Sequence, residues 1–140
     1  MLLQLVYLST AARLMSDSEL ATLLDVSRER NAAAGLTGML LYADGQFMQA
    51  LEGPAEPLIS TYGRIRRDPR HRSLIEMLRQ GVPDRSFADW SMGFRRGARR
   101  DLDALPGYSD FLDRPDGSAG ADVARAFLHS FRSSAQRFRV

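Results

Sequence analysis

Tyr7, Asn31 and Gln49 are the three side chains whose types and settings could do chemistry in this 140-residue chain. Gln49 lies in Gly45-Gln46-Phe47-Met48-Gln49-Ala50-Leu51-Glu52-Gly53, where strand alternation puts it on one face with Phe47 and Leu51. A primary amide between two large apolar residues needs partners for two donors and two lone pairs. Taken alone, it is either a satisfied core group or a group held there to read something. Tyr7 alternates inward with Leu3, Leu5 and Ser9, and Asn31, the only asparagine, falls on the apolar stripe of a helix. Three polar groups converging on one apolar space have the character of a small-molecule pocket. Its expected walls are Leu23, Leu24, Leu36, Leu40, Phe47, Leu51 and Ile65.

That pocket is poor in hydrolytic or group-transfer machinery. No carboxylate pair and no Ser-His-Asp set is visible, and neither His71 nor His129 has a neighbour at metal-ligand spacing. With no cysteine, disulfides, thiol catalysis and Cys-based metal sites are excluded. A phenol beside an amide can exchange electrons, protons and hydrogen bonds, but the two alone cannot sustain ordinary turnover. The chemistry points to a bound chromophore or redox cofactor.

The elements that must position these groups follow from periodicity. Leu3 to Ser9 is a strand. Ser16-Asp17-Ser18-Glu19 has the form of a capping box that opens a helix with Leu20, Leu23, Leu24, Ser27 and Asn31 inward, ended by Gly35. Gly38–Tyr42 is a second strand, Asp44-Gly45 a hairpin turn, and the Gln49 segment the third strand. A second helix begins near Pro57, carries Leu58, Thr61, Tyr62, Ile65 and Asp68 inward, and stops at Asp68-Pro69. Further strands are expected at Leu74–Leu78 and Trp90–Phe94. The order β-α-β-β-α-β-β predicts an α+β, ferredoxin-like sandwich with both helices on one sheet face. Leu102, Leu105, Tyr108, Phe111 and Leu112 suggest a short helix after it. Beyond the loop Arg114–Gly120, Val123, Ala124, Phe127, Leu128, Phe131, Ala135 and Phe138 define an amphipathic helix, and these C-terminal helices should cover the other face.

Composition sets the remaining bounds. The size and the 44% hydrophobic, 26% charged content suit one soluble globular domain. No apolar run approaches the roughly 20 residues of a membrane helix. The N-terminus reads as a strand, not a signal peptide, so the expected location is the cytoplasm. All 19 basic residues are arginines, concentrated in Arg64–Arg72 and Arg95–Arg100. With a formal net charge of only +2, these runs read as solvated faces before phosphate sites, and no nucleic-acid or membrane partner is expected.

Six blocks in order carry a specific resemblance: Leu5–Ser9, Ser27–Asn31, Gly35–Tyr42, Gly45–Gly53, Arg67–His71 and Phe87–Phe94. Together they resemble the BLUF family, blue-light sensors using FAD, over roughly residues 1–95. The length and helical tail are similar to the short, single-domain members that carry no attached enzyme. The resemblance implies a flavin-binding core over 1–95 and an output or oligomerisation element over 96–140. It further implies a photoreceptor that is not an enzyme, binds FAD, forms a homo-oligomer and signals to a separate, unidentified effector protein.

It also implies roles. Tyr7 would be the light-driven electron and proton donor, and Gln49 the amide that rearranges between Tyr7 and the flavin edge. Asn31 would hold the flavin's polar edge, with Leu24, Leu40, Phe47 and Ile65 around the ring. Ser9 matches a position near the Tyr–Gln pair, while Trp90 and Met92 match fifth-strand residues that respond to the switch or else are plain core. Arg64 and Asp68 match positions near the isoalloxazine, or form a surface i,i+4 ion pair. Arg70 would reach the FAD phosphates. Two departures stand out: Arg30 occupies a flavin-contact position where many members have Asn or His, and Ala50 stands where some carry Trp. Other uses of this architecture are an RNA-binding module, which needs exposed aromatics on a free sheet face, and an acylphosphatase-like enzyme. The enzyme needs a Gly-rich phosphate loop that Thr10-Ala11-Ala12-Arg13-Leu14 does not supply.

Overall fold

A computed structural model describes residues 2–88, 91–115 and 119–133. The chain forms β1 (Leu2–Ala11), α1 (Asp17–Ala34), β2 (Thr37–Ala43), β3 (Gln46–Pro54), α2 (Ala55–Arg66), β4 (His71–Val82), β5 (Gly93–Gly97), α3 (Arg99–Asp103), α4 (Tyr108–Asp113) and α5 (Ala119–Ser133). The strands make one sheet in the order β4-β1-β3-β2-β5. β5 runs parallel to β2, and every other pairing is antiparallel. This is the expected α+β, ferredoxin-like arrangement with a fifth strand added at the β2 edge.

The sheet's pleat sorts the sequence into two cores. Leu5, Tyr7, Leu40, Phe47 and Leu51 face one way and pack with Leu20, Leu24, Leu58 and Tyr62 of α1 and α2. Val6, Leu8, Met39, Leu41, Met48 and Ala50 face the other way, against Leu102, Leu105, Tyr108, Phe111, Val123, Ala124, Phe127 and Leu128. Among the described residues the C-terminal helices therefore cover the second face, the one on which an RNA-binding module would need exposed aromatics.

Local signals account for most boundaries. Ser16 and Glu19 form the capping box, and Gly35 ends α1 in the left-handed conformation at φ 71°, which its missing Cβ permits. Gly38 is needed for a close approach: a Cβ there would sit 2.3 Å from the Ala50 carbonyl oxygen. The expected fourth strand lengthens to His71–Val82 because β1 pairs with it along nearly its whole length.

Three expectations shift. The fifth strand begins at Gly93 instead of Trp90, because the Ser91 and Met92 carbonyls are taken by side chains of α1 and do not join the ladder. The single helix expected over Leu102–Leu112 is two, since Pro106 and Gly107 (φ 83°) interrupt it, and Leu112 is 39% exposed. α5 already includes Ala119 and Gly120, which were expected in the loop. Trp90, Ala135, Phe138 and the Phe131 side chain lie outside the described residues.

Candidate functional site

The antiparallel pairing of β1 with β3 sets Tyr7 directly opposite Gln49, on the face covered by α1 and α2. The Tyr7 hydroxyl donates to Gln49 Oε1, and Gln49 Nε2 points to Met92 Sδ at 3.5 Å. A thioether can only accept, so the amide's NH2 belongs on the Met92 side and its oxygen toward Tyr7. All three side chains are buried. They form a chain from phenol through amide to thioether.

Beside this chain α1 and α2 stand apart, leaving a cleft of about 800 Å³ including its open mouth. Tyr7, Asn31 and Gln49 lie at its buried end, with Leu40 and Phe47 from the sheet. Leu23 and Ile65 line its flanks, and the exposed Arg30, Arg64 and Arg70 its rim. Asn31 Nδ2 donates to the Ser91 carbonyl at 2.7 Å, and Arg28 Nε to the Met92 carbonyl at 2.9 Å. α1 thereby holds the residues entering β5 against Gln49.

Other expected site residues fall into different settings. Leu24 turns into the core between α1 and the sheet and does not line the cleft. Leu36 and Leu51 are likewise buried behind it. Ser9 is buried one pleat beyond Tyr7 and bonds to His71 Nδ1 at 2.7 Å. Asp68 and Arg70 both line the cleft, but Asp68 does not pair with Arg64. α2 ends at Arg66, so Asp68 sits past the helix and takes Arg70 Nε on both oxygens at 3.0 Å. Arg64 reaches Thr61 Oγ1 at 3.4 Å. The Arg70 guanidinium, by hydrogen bonding first of all, lowers the Asp68 carboxyl below its ordinary range.

Several cleft residues were not legible as such. His71, which the sequence marks as lacking a neighbour at metal-ligand spacing, lines the wall. Its Nε2 donates to the Ile65 carbonyl, and its Nδ1 meets the Ser9 hydroxyl on the other side of the ring. Met15, Val26 and Thr61 also line the cleft. Thr61 was visible on the inner stripe of α2, whereas Val26 lies off the stripe of α1 and gave no signal.

Burial, then the nearby Tyr62 and Asp68, pushes the Tyr7 phenol far above its ordinary range. Tyr7 is therefore a protonated hydrogen-bond donor wherever the fold persists. Unfolded tyrosine titrates near pH 10, so above that pH the unfolded state alone releases the proton. The stabilisation is complete below about pH 10 and is lost as pH rises beyond it. Tyr62 and Tyr108 are raised in the same direction, by burial. Because the chain has no lysine, tyrosine ionisation dominates this range. The denaturation midpoint should decline as pH rises above about 10, and Tyr7→Phe should remove part of that decline.

The residues present fit a flavin. An apolar slot ends in an amide, a carboxamide and a phenol, as a flat ring with a polar edge requires, and arginines at the rim suit phosphates. The family described as BLUF, sensors of blue-light using FAD, matches residues 2–93. The photoactivated adenylate cyclase subunit beta of Euglena longa is 37% identical over 89 residues, covering 63% of this chain and 10% of that protein. The blue light- and temperature-regulated antirepressor BluF of Escherichia coli (strain K12) is 36% identical over 70 residues, 50% of this chain and 17% of that protein. The chain thus spans about a tenth of the length of the cyclase relatives it matches. The dark-state structure of BlrB, a BLUF protein, superimposes with a TM-score of 0.70 at 31% identity, covering 92% of this chain and 96% of BlrB. With the family's pattern running through both the sheet and the cleft that carries Tyr7 and Gln49, this chain belongs to the BLUF family of blue-light sensors using FAD.

Proposed function

We propose that the cleft binds FAD and that the Tyr7–Gln49–Met92 chain at its buried end is the light-driven switch. The observation that carries this reading is the continuous hydrogen-bonded path from a buried phenol, through an amide with two distinguishable ends, to the residue that enters β5. Gln49 and Asn31 would hold the flavin's polar edge, with Leu40, Phe47 and Ile65 against its faces. Arg64 and Asp68 would flank the ring, Arg30 would contact its pyrimidine end, and Arg70 would reach the phosphates. When bound, an oxidised flavin supplies blue-light absorption and an excited state that is a strong oxidant.

Tyr7 is then the donor: it gives up an electron and its phenolic proton and later recovers both. While it does so its bond to Gln49 Oε1 is broken and the Gln49 amide is left in a second arrangement, and that bond is remade only on return in darkness. Met92 feels that change directly, since a thioether accepts from NH2 but offers nothing to a carbonyl oxygen. The sub-ångström event needs an element with two discrete packings to carry it outward. Met92 leads into β5, and β5 leads into α3–α5 on the far face, which supports reading the C-terminal extension after residue 95 as the output or oligomerisation element.

The chain would act as a sensor and not as an enzyme. Among the described residues no group of three or more His, Cys, Asp or Glu is placed to hold a metal. Nor is any helix there long and apolar enough to cross a membrane. A cytoplasmic setting, a homo-oligomer and a separate effector protein complete the reading. Protein purified in the dark should be yellow and release FAD on denaturation, as identified by chromatography. A colourless protein that never takes up flavin would contradict it. Size exclusion in light and in darkness reads the oligomer.

A further inference from the structure

Glu52 is fully buried on β3, three positions beyond Gln49 and on the opposite sheet face. Its carboxylate meets three donors, each at 2.8 Å: Gln4 Nε2 and the Ser86 N–H at Oε2, and the Phe87 N–H at Oε1. Gln4 in turn accepts from Gln80 Nε2 at 2.8 Å, which ties in β4. Next to it Arg85 Nη2 donates to the Gly35 carbonyl at 2.7 Å, and Nη1 to Thr37 Oγ1 at 3.0 Å. Residues 85–87 are thereby fastened to β3 and to the corner between α1 and β2.

From this clamp the chain continues to Ser91 and Met92, whose carbonyls are held by Asn31 and Arg28 and whose thioether meets Gln49. A buried carboxylate is a poor source of stability, because an apolar residue of similar volume commonly serves as well or better. What an apolar residue cannot do is grip two successive backbone N–H groups. Glu52 fixes a position.

We propose that Glu52 is a positioning residue for the light response: by clamping Ser86 and Phe87, six and five residues before Met92, it steadies Met92 against the Gln49 amide, and so sets how long the light-adapted arrangement lasts. The inference rests on the Tyr7–Gln49 reading above. With Ser86 and Phe87 held by Glu52, and the Ser91 and Met92 carbonyls held by α1, the thioether and the Gln49 amide must move together on return. Releasing one end lets them move separately and lowers the barrier to return.

Glu52→Gln keeps the volume, but its NH2 must confront one of the donors that the carboxylate accepts. In the flavin-loaded protein the light-induced shift should keep its size while dark recovery becomes about tenfold faster, the size of one charge-assisted hydrogen bond felt at the barrier. Amide hydrogen exchange in darkness should rise at Ser86, Phe87, Ser91 and Met92 and stay unchanged in β1 and β3. In a Met92→Leu background the same substitution should alter recovery less than about twofold, since a clamp acting through Met92 then has nothing to position. Gln4→Met, which leaves both backbone bonds in place, should act in the same direction more weakly, and it decides the matter if Glu52→Gln does not fold. Unchanged or slower recovery in variants that shift normally overturns the positioning role and leaves the Tyr7–Gln49 reading intact. A flavin-loaded wild type with no light-induced shift overturns that reading and this inference with it.

Discussion

Tyr7→Phe should bind flavin as the wild type does and show no lasting light-induced change in its absorption spectrum. The phenyl ring preserves the packing against Tyr62, whose ring centroid lies 5.9 Å away, and keeps the wall of the cleft intact. What is lost is the O–H that donates to Gln49 Oε1, and with it the readily oxidised phenol and its proton. The amide oxygen then lacks its partner, so stability should drop by about 1–3 kcal/mol. Equilibrium denaturation reads that cost, and light-minus-dark spectra read the function. A normal shift in Tyr7→Phe would sink the donor assignment.

Gln49→Leu fails at a different step. Tyr7 remains an oxidisable phenol, so transient absorption should still detect tyrosine oxidation after a flash, whereas no long-lived product should accumulate. A leucine has neither an oxygen for Tyr7 nor an NH2 for Met92, so nothing records that the transfer took place. The Tyr7 hydroxyl is left buried without an acceptor, again costing about 1–3 kcal/mol. A wild-type-like cycle of shift and dark recovery in this variant would rule out the amide as the switch. The contrast between the two variants, chemistry absent in one and unrecorded in the other, separates donor from switch.

How far the site could be read in advance follows from which interactions are local. Tyr7 and Gln49 were assigned to one face because a strand's period is two, which no distant contact can alter. That they stand opposite each other was not legible. The register of β1 on β3 joins segments about forty residues apart, fixed by packing of both faces. Asn31 was visible as the polar member of an apolar helical stripe, but its bond to the Ser91 carbonyl depends on a segment sixty residues on. Trp90–Phe94 reads as a strand by composition, yet side chains of α1 claim the carbonyls at Ser91 and Met92 and delay the strand to Gly93. Arg64 and Asp68 have helical spacing, but α2 ends between them and frees Asp68 for Arg70. Glu52 gave no signal at all: a carboxylate in a strand reads as solvent-facing until the 85–87 segment arrives to bond it.

The central claim, that light drives a reversible rearrangement of the Tyr7–Gln49 pair, is tested most directly by the absorption spectrum of the flavin-loaded protein before, during and after blue light. A shift of the flavin band to longer wavelength that decays in darkness is the predicted result. A yellow protein whose spectrum is the same in light and in darkness would contradict it.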